Sequence, residues 1–312
     1  MDYEQLISLA RLVLLAMTPY VLAGQGTMLA GRTGIFNVAQ EGIMLAGASV
    51  GFLAAYRFES LGMGLLAALL VGGLFGLALA YFTATLKMDQ FVIGLALYFI
   101  GLGLSTLLYK LVIGVTLQPP LIPTLPNVAV PGLHAIPLLG ELLFNQNLLV
   151  YSALLLSLAL YYFLYQTSYG LNWRAVGENP RAADSLGVPV VRIQYAAVIL
   201  GSMLMGVAGA YLPMVYTGTF TAGIVQGRGW LAIALVFFGG WRPQSILLGA
   251  LFFAGVEVIA LRAQILGSAI PYQFLLTLPY LTTILVMIFA FKWAKTPAFL
   301  GLNYDREQRS LG

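Results

Sequence analysis

Gly177-Glu-Asn-Pro-Arg-Ala-Ala-Asp-Ser-Leu-Gly187 sits in a polar, cation-bearing stretch, 166–192, of a chain that is otherwise almost continuously apolar. The contrast decides the fold, because the segment reads as a short helix between long hydrophobic ones. Asn179 suits the N-cap, Pro180 the first helical position, and Gly187 the left-handed residue that ends a helix. Ala182, Ala183 and Leu186 are expected to share one face by helical spacing. A small rigid helix with an apolar face is what a transporter needs in order to plug into a separate motor. On these local signals alone, an ordinary interhelical turn is a slightly better reading.

The rest of the chain changes that balance. Of 312 residues, 60% are hydrophobic and 8% charged, with a mean hydropathy of +0.92. A soluble domain carries about 25% charged residues, so this is an integral membrane protein. Apolar stretches near the length of a helical span recur throughout, which makes it an all-α polytopic protein rather than a barrel. No stretch is polar enough for a soluble domain, so any water-soluble catalytic fold must belong to another polypeptide. The absence of cysteine excludes disulfides and thiolate chemistry. The single histidine, His134, lies in a proline-rich loop and makes a histidine metal site or catalytic dyad untenable. The net charge of +4 is scattered between spans, which fits membrane topology and not nucleic-acid binding. The start, Met1-Asp-Tyr-Glu4, is acidic where a cleaved signal is basic, so the first apolar segment is expected to be retained.

Hydropathy places about nine spans (eight to ten), at 6–30, 35–55, 62–84, 90–113, 148–165, 193–216, 225–240, 244–262 and 272–292, within a single permease-sized domain, 1–312. Placing Arg32, Lys87, Arg174, Arg181, Arg192, Arg242, Lys292, Lys295, Arg306 and Arg309 inside leaves Arg11, Arg57, Lys110, Arg228 and Arg262 at or near the outer face. That imbalance predicts the N-terminus outside and the C-terminus inside. The loop 115–147 then lies outside and is stiffened by Pro119, Pro120, Pro123, Pro126, Pro131 and Pro137; capping the bundle is its simplest role. The segment 225–240 is short and bracketed by Gly223, Gly227, Gly229, Gly239 and Gly240, a pattern that fits a broken or re-entrant helix. Pairs such as Gly47/Gly51 and Gly72/Gly76 form small-residue stripes along which helices in lipid approach closely.

Polar groups inside a membrane are costly, so each is a site by default. Asn37, Gln40 and Glu41 are expected to face one way on a helix, being three and four residues apart. Amides with a carboxylate suit a polar, hydroxyl- or amide-bearing solute; holding neighbouring helices together is an equally good reading. Glu257 is the other buried carboxylate. Arg262, five residues on, shares its face poorly, and a structural hydrogen bond is the simpler role. Lys87 and Asp89 bracket the fourth span as solvated surface. No phosphate-loop motif, zinc-protease motif or nucleophile elbow occurs, so the chain has no ATP site of that kind and little to work with as an enzyme.

Five stretches together resemble a known family. They are Gly34-Ile-Phe-Asn-Val-Ala-Gln-Glu-Gly-Ile-Met-Leu-Ala-Gly-Ala48, Asp89-Gln-Phe-Val-Ile-Gly-Leu-Ala-Leu-Tyr98, Arg174 to Val188, Phe238-Gly-Gly-Trp-Arg-Pro243, and Thr296 to Glu307. In order and spacing they are similar to the permease subunits of ABC importers of the ribose/nucleoside type, in particular the shorter permease of nucleoside systems. The resemblance implies an ATP-driven importer in a prokaryotic plasma membrane, taking up nucleosides or related purine and pyrimidine compounds by alternating access. Its expected partners are ABC ATPase subunits that carry the ATP and Mg, a second, paralogous permease, and an external substrate-binding lipoprotein; no cofactor is expected on this chain. It also implies a solute pathway at Asn37 and Glu41, and Gln40, Phe91, Tyr98 and Glu257 are further candidates for that pathway. ATPase coupling would fall on Gly177, Glu178, Asn179, Pro180, Arg181, Ala182, Ala183, Asp184, Leu186 and Gly187. Ala39 stands where the family has glycine and Tyr98 where it tends to have asparagine, which bears on the solute. A sugar or branched-chain amino-acid permease of the same superfamily is the first alternative. A secondary transporter using Glu41 and Glu257 is a more distant one, because it has no need of a docking segment.

Overall fold

A computed structural model describes residues 3–116, 118–132, 139–265, 271–290 and 295–305. His134, Pro137, Lys292, Arg306 and Arg309 lie outside the described residues. The chain is mostly helical. Among the described residues, six helical segments are long and apolar enough to cross a membrane: Gln5–Gly31, Leu61–Thr85, Gln90–Ile113, Leu148–Gln166, Val190–Thr217 and Pro243–Gln264.

In chain order the elements are α1 (Tyr3–Gly31), α2 (Gln40–Phe58), α3 (Leu61–Ala80, extended by a π turn, Tyr81–Thr85) and α4 (Gln90–Ile113). A small hairpin follows, β1 (Asn127–Ala129) pairing antiparallel with β2 (Asn145–Asn147) around α5 (Leu139–Leu143). Next come α6 (Leu148–Gln166), α7 (Ser168–Glu178), α8 (Pro180–Ser185), α9 (Val190–Tyr211, with a π turn, Leu212–Thr217), α10 (Arg228–Phe238), α11 (Pro243–Ile265) and α12 (Tyr272–Ala290). The central element is α9, which packs against α1, α2 and α3, while α1 also packs on α10 and α11. Small residues set these approaches: a side chain at Gly47 would meet the backbone of Gly206, and one at Gly72 would meet Ser202. The segment 118–132 covers one end of α9, where Ile122 N donates to Gly218 O (2.8 Å) and Leu125 N to Met214 O (2.9 Å).

Two local expectations are corrected. The second helix begins at Gln40 and not near residue 35. Gly34 takes φ +89°, and the Asn37 Oδ1 accepts a hydrogen bond from Ala39 N (3.0 Å), an Asx turn that competes with helix. Asn37 is therefore not on a helix face shared with Gln40 and Glu41. The segment 225–240 contains only eleven helical residues, α10, which at 1.5 Å per residue span about half of a bilayer core. Turns through Gly223, Gln226 and Gly227, with φ of +73°, +51° and +77°, lead into it.

Candidate functional site: a polar cavity beside a half-length helix

The first turn of α10 is held by carboxylates from two other helices. Glu41, in the first turn of α2, accepts from Gly227 N through Oε1 (2.8 Å) and from Gly229 N through Oε2 (2.7 Å). A helix N-terminus leaves such N–H groups without partners and carries partial positive charge, so a carboxylate there satisfies both. The fit needs glycine: a Cβ at position 229 would lie 2.6 Å from Glu41 Oε2.

On the other side of the same turn, Arg228 Nη2 pairs with Glu257 Oε1 on α11 (2.5 Å), and Tyr20 of α1 donates its hydroxyl to Glu257 Oε2 (2.9 Å). Tyr280 of α12 donates to the Gln226 carbonyl (2.7 Å). These groups border a cavity of about 440 Å³, whose polar lining is Tyr20, Gln226, Arg228, Glu257, Gln264 and Tyr280 and whose remaining wall is apolar, with Leu231 and Leu275. Mostly apolar walls with a few convergent polar groups are the usual construction of a small-molecule site. A second, smaller cavity of about 310 Å³ lies between the end of α4 and the segment after α9, beside Tyr109, Lys110 and Phe220.

The residues singled out from sequence fall in different places. Glu257 lines the cavity. Glu41 stands behind α10 and fixes its start. Tyr98 packs its ring 5.6 Å from that of Trp230 in the first turn of α10, while its backbone lies against Gly42. Asn37 is fully buried and donates to Ser202 Oγ (3.2 Å) and Met205 Sδ (3.4 Å) of α9. Gln40 is also fully buried; it accepts from the Thr27 hydroxyl, and its Nε2 has no partner among the described residues. Phe91 is exposed in the first turn of α4, apart from this group. Sequence reasoning missed Arg228, Tyr20, Gln226, Gln264 and Tyr280. Arg228, expected at or near the outer face, pairs with Glu257 within the bundle. The signal was present: two carboxylates buried among apolar spans require donors, and Gly227-Arg-Gly229 supplies them from backbone and side chain.

At the opposite end of α10, the Arg32 Nε donates to Trp241 O (2.8 Å). The polar segment 166–192 lies at this same end, as α7 and α8. Asn179 caps α8, its Oδ1 accepting from Ala182 N (3.0 Å), and Pro180 occupies the first turn. Gly187 has φ +82°. The single apolar face expected for Ala182, Ala183 and Leu186 is corrected. Ala183 is buried against Val176 and Val190, whereas Arg181 and Ala182 are exposed and Leu186 is 84% exposed. A six-residue helix must bury one side to be anchored, so Ala182, Ala183 and the C-cap Leu186 cannot all point outward. The tail 295–305 binds the segment from beside: Phe299 N donates to Gly177 O (2.9 Å), Ala298 N to Glu178 Oε2 (3.2 Å) and the Tyr304 hydroxyl to Asp184 Oδ2 (2.9 Å). The tail also ties to the start of α4, through Gln90 Nε2 to Leu302 O (3.1 Å) and Lys87 to Asp305 (2.6 Å).

A bundle of apolar helices, a solute-sized cavity with a few convergent polar groups and an exposed short helix at one end are the features of a membrane permease. The chain belongs to the family described as branched-chain amino acid transport system / permease component, whose model matches residues 9–294. It is 31% identical to the guanosine ABC transporter permease protein NupQ of Bacillus subtilis, over 99% of this chain and 100% of that one. It is 34% identical to the nucleoside ABC transporter permease protein NupC of Lactococcus lactis, over 95% and 96%. The same identity, over 94% and 95%, relates it to TsgC13 of Haloferax volcanii, a permease whose name assigns it provisionally to glucose. The chain is thus an ABC transporter permease subunit and not an enzyme.

Proposed function

We propose that this chain forms the membrane pathway of an importer for nucleosides or related purine and pyrimidine compounds, in the plasma membrane of a prokaryote. The observation that carries the solute assignment is the near-full-length similarity to two permeases named for guanosine and for nucleosides. The cavity supports it, since hydroxyl, amide and guanidinium groups there complement the hydroxyls and ring edges of such a solute. ATP and Mg act on partner ATPases, which dock on 166–192 from the inside. A second, paralogous permease completes the membrane part, and an external lipoprotein delivers the solute near the loop 115–147. The chain crosses the membrane nine times, with its N-terminus outside and its C-terminus inside. Glu257 and Tyr98 border the pathway, Glu41 positions the helix that opens on it, and Asn37 and Gln40 hold the surrounding bundle.

Two measurements test this. Gentle purification of the tagged chain followed by mass spectrometry should recover a P-loop ATPase, a second permease and a receptor. Reconstituted with those partners, the transporter should take up labelled guanosine only when ATP is supplied inside the compartment that models the cytoplasm. Uptake driven by an ion gradient without ATP would overturn the mechanism. The relative named for glucose supports a second reading, and glucose competing better than guanosine would favour it.

A further inference from the structure

The start of α10 presents two positive features: the N–H groups of its first turn and the Arg228 guanidinium. Each is matched by one carboxylate. Glu41 places one oxygen on Gly227 N and the other on Gly229 N. Glu257 meets Arg228 at 2.5 Å, and Tyr20 satisfies its second oxygen. Among the described residues, Arg228 and Glu257 are the only ionised side chains that line the large cavity. Arg262, further along α11, is turned to Ser8 Oγ (2.8 Å) and does not line it. A buried ion pair stabilises little relative to an apolar pair of similar volume, so stability alone does not account for its presence. An unpaired arginine beside a helix N-terminus would, in contrast, be a strong anion site, because its planar fork matches carboxylate and phosphate.

We propose that the Arg228–Glu257 pair is the charge filter of the cavity, cancelling the guanidinium so that uncharged hydroxyl- and amide-bearing solutes are accepted and their phosphorylated, anionic counterparts are not. The proposal rests on the reading that this cavity takes the solute. Gln226, Gln264, Tyr20 and Tyr280 then supply neutral hydrogen-bonding groups around an oriented ion pair whose net charge is zero. Removing the carboxylate would leave one uncompensated positive charge in a site of low dielectric, where it acts far more strongly than in water.

The natural chain has no cysteine, so one introduced at Ala260, on the cavity wall, is a reporter without background. The assembled transporter carrying Ala260→Cys is labelled with an anionic reagent, 2-sulfonatoethyl methanethiosulfonate, and a cationic one, 2-(trimethylammonium)ethyl methanethiosulfonate. Their rate ratio is referred to that for a small free thiol. In this parent the ratio should stay within about threefold of the reference, and Glu257→Gln should shift it toward the anion by about tenfold or more. The double variant R228Q/E257Q, which removes both charges, should return it to the parent value and guards against a misfolded single variant. A parent that already prefers one charge tenfold, or an E257Q variant indistinguishable from the parent, would overturn the filter. Guanosine in the same experiment tests the underlying reading separately: it should slow labelling of the parent by both reagents alike. Absence of protection with the charge shift intact would remove the cavity from the solute pathway and, with it, the filter's role in selection.

Discussion

Glu41 acts across helices, from the first turn of α2 to the first turn of α10, and its two charge-assisted bonds are the main tie holding that turn open to the cavity. Bonds to a charged group contribute about 1.5–3 kcal/mol each, so Glu41→Ala should destabilise the protein by about 3 kcal/mol. The Gly229→Ala variant should cost a comparable amount, because its methyl group would lie 2.6 Å from Oε2 and 2.8 Å from the Glu41 Cα, closer than such atoms can approach. Thermal unfolding of the purified complex checks both, and a melting temperature unchanged in either variant would refute the capping role. That Glu41 mattered was legible in sequence, since a carboxylate in an apolar run needs a reason. What it does was not, because its partners lie 186 and 188 residues away and are backbone atoms. Asn37 shows the converse error. Its spacing from Glu41 reads as helical, yet Asn is suited to bonding its own backbone two residues on, and that turn prevailed.

Helix α8 separates two residues that sequence had placed together. Ala183 anchors the element, buried between Val176 and Val190, while Leu186 projects from its end with nothing of this chain over it among the described residues. An arginine at each should therefore behave differently. Leu186→Arg should leave the bundle intact and weaken association with the ATPase subunit by about tenfold or more, as expected for a charge placed in an apolar docking contact. Ala183→Arg should instead disrupt packing locally, because a buried unpaired charge has no partner there, and amide exchange across 179–190 should rise. Measured ATPase affinity together with exchange separates the outcomes. Equal affinity for L186R and the natural chain would remove Leu186 from the docking surface. The caps of this element were readable, Asn179 and Gly187 taking the roles that their chemistry suits. Its anchoring by the tail was not, because Phe299 and Tyr304 carry no local signal of what they bind 120 or more residues earlier.

Across the whole molecule, small-residue stripes and hydropathy were enough to identify a helical bundle, and Gly47 and Gly72 do sit where helices meet closely. The irregular passage at 218–242 was harder, because periodicity describes helices and half of this passage is not one. Its two ends nevertheless lie at opposite ends of the bundle: Gly218 is bonded to Ile122 in the segment 118–132, and Trp241 to Arg32 beside the polar segment. The passage therefore traverses the bundle, turns first and helix second, with non-helical backbone kept inside protein as a membrane requires. This supports the proposed nine crossings, which add α2, α10 and α12 to the six segments that meet the length and hydropathy of a span among the described residues. A topology experiment follows, again using the cysteine-free background. Cysteines at Thr116 and Thr221, both exposed, should react in intact cells with a membrane-impermeant maleimide, whereas Ser185→Cys and Gln244→Cys should react only after permeabilisation. If residues 221 and 244 label from the same side, the passage dips and returns, and α11 and α12 must then be turned over. If 116 and 185 exchange sides, the count stands but the orientation drawn from the cations is reversed.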